Sequence, residues 1–441
     1  MTCGPVCDFA ECFVDLPEVV SSDQKLKIDI MAILKRFAVI LALVMPGWLS
    51  FGQGREGEVL PQWKEGYLDI HHINTGKGEA SFFILPDGTT MLVDAGATAR
   101  EKPRVTDAKP DDSRSPGEWI IRYIRHMMQP VPQKKLNYLF LTHFHDDHMG
   151  SVNNSSKKSE TGDYLLSGIT EVGDAIPFGK MVDRGYPDYN YPTEMRSQNM
   201  QNYIRFVKWH TAKNGVLAEP FQVGSARQFA LAYQPEKYPG FEIRNIAANG
   251  VVWTGTGSNT RNHFPSLESL PESQYPGENM VSSAFRLSYG KFDYFNGGDI
   301  TTGAPGTWQD IETPVGLVTG PVDVCLSNHH AYYDAMGHAF LQATRPRVHI
   351  ILSWAPSHPS PSVLARMMST GTYPGPRDVF TTNLMKEAEI VIGTRVDSMK
   401  SQQGHIVVRV DPGGDRYHIY ILDDSEENYR IKSVHGPYVA D

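Results

Sequence analysis

Cysteine is almost missing from this chain of 441 residues: there are four, and three of them, Cys3, Cys7 and Cys12, precede residue 13, leaving Cys325 alone in the rest. That excludes a disulfide framework while remaining compatible with an oxidising compartment. Long apolar runs are also missing. The best candidate, residues 37–44, is short and closed by Pro46, so it does not cross about 30 Å of hydrocarbon as a stable span. A surplus of positive charge is lacking too: 41 Lys and Arg face 50 Asp and Glu, a formal net charge of −9. Nucleic acid is therefore not favoured as a partner, since it would have to bind in a local basic groove against the overall field. Neither a collagen nor a coiled-coil composition is present. What remains is globular, with 40% apolar residues, 39 Gly and 30 Pro, long enough for a large core and rich in loops.

Read from Met31, Lys35 and Arg36 form a basic n-region, residues 37–44 an apolar h-region, and Ser50-Phe51-Gly52 a small-x-small site. This is the pattern of a cleaved secretory signal peptide over residues 31–52, which predicts a secreted or periplasmic protein starting near Gln53. Residues 1–30 lie upstream of a signal that must be N-terminal to act, and read as a mis-assigned start or a disordered segment.

Along the rest of the chain, residues 67–74 predict a strand, and 80–85 with 89–93 a hairpin across Asp87-Gly88 that ends at Asp94-Ala95-Gly96. Ser115-Pro116-Gly117-Glu118 is a capping box with Pro at the first helical position. It predicts a helix to about Met128 with Ile120, Ile121, Ile124 and Met127 on one side. A buried strand over 136–141 then leads into His143. Between about 151 and 277 the periodicity fades, which predicts a loop-rich insertion with one helix near 200–210. Later segments predict a hairpin over 282–287 and 291–296, strands over 322–326 and 348–353, helices near 338–344 and 361–369, and a closing hairpin over 405–410 and 418–422. Antiparallel runs with helices between them fit an α+β fold, an αββα sandwich, as one main domain over 66–425 with a C-terminal tail over 426–441.

The chemistry is concentrated in Thr142-His143-Phe144-His145-Asp146-Asp147-His148, where three imidazoles and two carboxylates fall within six positions directly after a strand. In extended chain, residues i and i+2 share a face, so His143 and His145 can hold one ion. A turn at Asp146-Asp147 lets Asp147 and His148 face a second. The competing reading is a polar surface loop.

These residues resemble the HxHxDH signature of the metallo-β-lactamase superfamily, and the flanking motifs resemble the branch that contains ComEC-type competence proteins and secreted phosphorylcholine esterases. The motifs are the strand and turn from Ile70 through Thr75-Gly-Lys-Gly-Glu-Ala80, Leu92-Val-Asp94-Ala-Gly96, Asn279 with Ser282 and Arg286-Leu287, Gly297-Gly298-Asp299, Asn328-His329-His330, and Arg345-Pro346-Arg347. The resemblance implies two metal ions, zinc for preference given the imidazole-rich ligands. His143 and His145 would hold the first, Asp147 and His148 the second, and Asp299 would bridge them. It favours His329 as the last ligand, with His330 turned to the substrate as donor or general acid; the reverse assignment stays open. Asp94 would orient ligands without binding metal, and Asn279 stands where the superfamily has its middle histidine. His210 and His263 are the other candidates for that missing ligand. Ala331 and Tyr332 replace the usual Gly-Ser, a departure at the substrate contacts.

The expected activity is hydrolysis of a phosphodiester or other phosphoric ester, small or in the cell envelope, by metal-activated hydroxide, with Asp147 able to relay a proton. Loop 184–192, with Tyr186 and Tyr189, and His358 in Ser357-His358-Pro359 are candidates for substrate binding. A secreted nuclease, an acyl hydrolase of β-lactamase or lactonase type, and a vestigial binding module are the alternatives.

Overall fold

The computed structural model describes residues 54–98 and 104–441, so the expected signal peptide at 31–52 and the segment 1–30 lie outside the described residues. In chain order the strands are β1 (Leu68–His72), β2 (Ser81–Ile84), β3 (Thr90–Val93), β4 (Leu136–Phe140), β5 (Phe178–Asp183), β6 (Leu217–Pro220), β7 (Phe241–Ala248), β8 (Val251–Trp253) and β9 (Thr260–Asn262). They continue as β10 (Ala284–Tyr289), β11 (Phe292–Asn296), β12 (Val324–Leu326), β13 (Val348–Ile351), β14 (Asp378–Thr381), β15 (His405–Val410), β16 (Arg416–Leu422) and β17 (Ile431–Val439). One sheet runs β17-β16-β15-β1-β2-β3-β4-β5-β6, the other β14-β13-β12-β11-β10-β7-β8-β9.

Each sheet is covered on both faces, and the strand periodicity shows it. In β3, Met91 and Val93 point into a core shared with Phe285, Leu287 and Tyr294 of the other sheet, whereas Leu92 points into a core shared with helices. The rings of Phe83 and Phe140 meet Phe285 across the interior, at 6.2 and 5.9 Å. On the first sheet's outer face lie helices α1 (Pro116–Met127), α2 (Asp146–Met149), α3 (Ile169–Ala175) and α4 (Gln198–Lys213). The second sheet is covered by α5 (Glu312–Thr319), α6 (His338–Thr344), α7 (Pro361–Met368) and α8 (Lys386–Ile392). The result is an αββα sandwich. Helix α1 starts where expected, with the Ser115 side chain accepting from the Glu118 amide and Glu118 answering to the Ser115 amide. Among the described residues no helix is long and apolar enough to cross a membrane, and Cys325 is a buried free thiol.

Two boundaries differ from the sequence expectation. Residues 151–277 are not merely an insertion: β5 joins β4 in parallel, and β7 pairs with β10 as an inner strand of the second sheet. Nor is 426–441 a tail, because β17 pairs with β16 along the sheet edge. Gly179 and Lys180 in β5, Arg244 and Asn245 in β7, and Lys432, Gly436 and Pro437 in β17 hide the periodicity, and the partners of these strands are set by the sheet rather than by neighbouring sequence.

Strands β3 and β4 are parallel, as are β11, β12 and β13. Their C-terminal ends therefore release Asp94, the 143–148 segment, Asp299, His330 and Trp354 at a single edge of the sandwich, the edge at which open α/β sheets present ligand-binding loops.

Candidate metal centre

The loop after β4 is held by backbone pressed against backbone. The Glu79 amide donates to the Asp147 carbonyl (2.7 Å), the Ala95 amide to the His148 carbonyl (2.8 Å) and the Ala97 amide to the Asp146 carbonyl (3.1 Å). Gly78 and Gly96 permit this approach, since a Cβ there would lie 2.3 and 1.9 Å from the Asp147 carbonyl oxygen. Gly96→Ala is expected to displace the 146–148 turn, costing about 1–3 kcal/mol of stability and at least part of the metal content. Urea unfolding and metal analysis of the purified variant check this, and unchanged values for both would refute the clamp.

Within the clamp the imidazoles are oriented from behind. Asp94 Oδ2 lies 2.8 Å from His148 Nδ1, and its carboxylate also takes the Thr142 amide (2.8 Å) and hydroxyl (2.7 Å). His330 Nδ1 faces the Leu352 carbonyl at 2.9 Å and Glu79 Oε1 at 3.1 Å. Each contact calls for a proton on Nδ1, which leaves the Nε2 lone pairs pointing forward. In front of them stand carboxylate oxygens: Asp299 Oδ1 is 3.3 Å and Asp147 Oδ2 3.6 Å from His148 Nε2. From His330 Nε2, Asp147 Oδ2 is 2.9 Å and Asp299 Oδ2 3.6 Å away. On neutral rings these are nitrogen lone pairs facing carboxylate oxygens, an opposition that a proton or a cation relieves, and His148 Nε2 and Asp299 Oδ1 are both buried without a hydrogen-bond partner. A cation between them satisfies every atom, so this donor set fits a metal.

His143 Nε2 and His145 Nδ1, 3.2 Å apart, form the second group with Asp299, whose Oδ2 is 3.6 Å from His143 Nε2. Asp299 is thus common to both groups. Glu79 falls within ligand distance of the first group, but its oxygens sit on the Nδ1 side of both rings, where a carboxylate orients rather than ligates.

The electrostatics follow from packing these charges out of water. Burial alone would drive His148 and His330 down, but Asp299 together with Asp147 and the carboxylate behind each ring raises both well above the usual histidine value. Burial would likewise raise Asp147 and Asp299, and His148 and His330 outweigh it, holding both far below the usual carboxylate range. Protons thus compete with a cation for these nitrogens. Burial raises Glu79 and lowers His143.

Of the histidine pair after β12, the expected ligand His329 is the outer one. Residues 329, 330 and 331 all have left-handed backbone, with φ of 45°, 52° and 57°, and this turn sends the His330 ring inward while His329 stays partly exposed. His329 Nδ1 meets Asp334 at 2.7 Å, its Nε2 lies 3.0 Å from Asn279 Nδ2, and Asp299 Oδ2 is 4.0 Å away. Asn279 therefore lies beside His329 at the rim. His210 is buried in α4 against Tyr164, Phe178 and Phe206, and His263 packs beside Phe264, so neither joins a ligand group.

The loop is tied to the middle of the chain through Glu278. Its Oε1 accepts the amide of Phe144, between His143 and His145, at 2.7 Å, and both its oxygens accept from buried Arg184, which also lies over the Phe144 ring. Tyr189, an expected substrate contact, is instead a buried prop: its hydroxyl donates to Asp183, and its ring packs against Phe144 and Tyr203. Tyr186 is half-buried against the same core. His358 does reach the centre, stacked on His330 with ring centroids 4.5 Å apart.

Three contributing residues were not singled out from sequence. Glu79 had only its place in the Gly-Lys-Gly-Glu turn as a signal. Trp354 had none, because it reaches His330 through tertiary packing alone. Glu312, fully buried in α5, accepts from Asn328 (2.6 Å), the Met336 amide (2.6 Å), the Gly337 amide (2.8 Å) and Thr302, and so joins the loop after Asp299 to the loop of His330. Glu312→Ala is expected to weaken metal binding about 10–100-fold. Competition against a chromophoric chelator measures it, and wild-type affinity would show that the two loops hold their places without the carboxylate.

Residues 74–173 match the Metallo-beta-lactamase superfamily family model, a segment that includes Glu79, Asp94 and the whole 143–148 turn. The two mixed sheets flanked by helices are consistent with that family's α+β sandwich. No curated protein matches the chain. Among solved structures, CmlA, a diiron β-hydroxylase from Streptomyces venezuelae, is similar at 10% identity and a TM-score of 0.37, covering 80% of this chain and 55% of its own. This chain thus spans about half the length of that protein. A protein described as a metal-dependent hydrolase from Parabacteroides distasonis is similar at 11% identity and a TM-score of 0.31, covering 80% of this chain and 98% of its own.

Proposed function

We propose that this protein is a secreted metal-dependent hydrolase with two metal sites, acting on a phosphodiester or related phosphoric ester, in a branch resembling the ComEC-type and phosphorylcholine esterase proteins. The observation that carries the reading is the convergence of His148, His330, Asp147 and Asp299, with His148 Nε2 and Asp299 Oδ1 buried without a hydrogen-bond partner, a donor set that suits a cation, beside a second group that shares Asp299. His143, His145 and Asp299 would hold one ion; Asp147, His148, Asp299 and His330 the other. Two bound dications lower the pKa of a water toward about 7 and neutralise charge on the attacked group. Zinc is the proposed metal, from the imidazole share of the donor set.

The chain's own groups then have distinct tasks. Asp94 and Glu79 fix the tautomers of His148 and His330. Asp147, between His148 and His330, is placed to accept a proton as the attack proceeds. His329, partly exposed and backed by Asp334, is placed to donate one to the leaving oxygen, the reverse of the assignment that the sequence motif favours.

The test is a substrate panel with the protein starting at Gln53: bis-p-nitrophenyl phosphate, a p-nitrophenyl acyl ester, a β-lactam and single-stranded DNA, each with and without chelator. Chelator-sensitive turnover of the diester supports the reading. Turnover confined to acyl substrates, or none at all, overturns it; turnover confined to DNA keeps the phosphodiester chemistry and makes the protein a nuclease. Sequencing the N-terminus of the exported protein tests the cleavage near Gln53.

A further inference from the structure

We infer that Trp354 contacts the substrate, its indole N–H serving as a neutral hydrogen-bond donor to an anionic oxygen at the metal centre. The inference rests on the metal-centred reading above and deepens it by naming a group that recognises the ester's charge.

Trp354 lies on the loop after β13 and is half-buried. Its Nε1 donates to His330 Nε2 at 3.3 Å, so the N–H points at the nitrogen that faces Asp147 and Asp299. The ring is held edge-on to His330 and to His358, with centroids 5.7 and 5.0 Å away. Its carbonyl accepts the Thr106 amide at 2.9 Å, and Thr106 in turn donates through its hydroxyl to the Gly76 carbonyl. Three loops from distant parts of the sequence thus fix one indole at the edge of the centre.

Because His330 Nδ1 is committed to Leu352 and Glu79, Nε2 has a single lone pair to offer. That lone pair cannot serve the indole and a cation at once. Loading the centre therefore changes the acceptor of the Trp354 N–H while leaving its direction set by the packing. An indole neither accepts a hydrogen bond through nitrogen nor ionises near neutral pH, so it cannot compete for metal as the surrounding carboxylates and imidazoles do. What it offers beside the ions is a fixed donor for an oxygen that carries negative charge, the group shared by a phosphodiester and its phosphate product.

The test uses zinc-loaded protein titrated with inorganic phosphate, following the ¹⁵N–¹H resonance of the Trp354 indole, assigned through its contacts with the His358 ring. The expected result is a resonance that moves on zinc loading and moves again, saturably, with phosphate. Trp354→Phe, which keeps the ring and removes the donor, should hold the wild-type zinc content but bind phosphate about 10-fold more weakly. A resonance that stays still while phosphate saturates, unchanged phosphate affinity in the variant, or loss of zinc from it would each overturn the assignment. Failure of the zinc-loaded wild-type protein to bind phosphate overturns both this and the phosphodiester reading. Phosphate binding with a displaced resonance but no diester turnover overturns that reading alone.

Discussion

Asp299→Asn is expected to reduce hydrolysis by two to three orders of magnitude or more, the scale seen when one preorganised electrostatic group is removed from a site, and to leave the protein with less than one equivalent of metal. Asp299 is the residue common to both donor groups, with one oxygen near His148 and the other near His143 and His330. Asparagine keeps the volume and one acceptor but removes the charge that offsets two neighbouring dications. Its backbone setting survives, because the Asp299 amide still reaches Ser282 and the preceding Gly298 amide still reaches Asn296. A folded variant with both metals and more than a tenth of wild-type activity would mean that the two groups do not share this carboxylate.

The second large effect is on stability, and acid reveals it. His72, His349 and His405 are fully buried, and burial pushes each down to about 3 from the ordinary 6.5. In the unfolded chain they take up protons near 6.5, so between about 6.5 and 3 the unfolded state binds more protons and stability rises with pH. Their contribution is complete above 6.5 and is lost as pH falls toward 3, by up to about 4–5 kcal/mol per residue. Asp69, held down to about 2 because Arg409 outweighs its burial, follows in a lower window: its contribution is present above 3.8 and lost toward 2. Together these predict acid unfolding that begins near pH 5–6, well before ordinary carboxylates titrate. Urea unfolding of chelator-treated protein at pH 7.5, 6, 5 and 4 tests this. A midpoint that holds constant down to pH 4 would contradict it.

What the sequence made legible was local. The HxHxDH turn, the Ser115 capping box and the hairpins before Asp94 and Gly297 each depend on residues a few positions apart, and each stands where expected. Strands β5 and β7 were hidden because Gly179 and Lys180 in the one and Arg244 and Asn245 in the other dilute their apolar signal, and only pairing with distant strands makes them strands. The choice between His329 and His330 turns on three consecutive left-handed residues, which no side-chain pattern announces. Glu79 and Trp354 join the centre across long chain separations, so their roles appear only when the loops are brought to one edge. Loop 184–192 looked like a ligand site for its aromatics, yet Tyr189 supports the metal loop from beneath.

Calorimetric titration of metal-free protein with zinc, beside His330→Ala and His329→Ala, tests the two-site centre most directly. Two equivalents are expected for wild type and for His329→Ala, and one for His330→Ala. No saturable binding in the wild type, or loss of an equivalent in His329→Ala with none lost in His330→Ala, would contradict it.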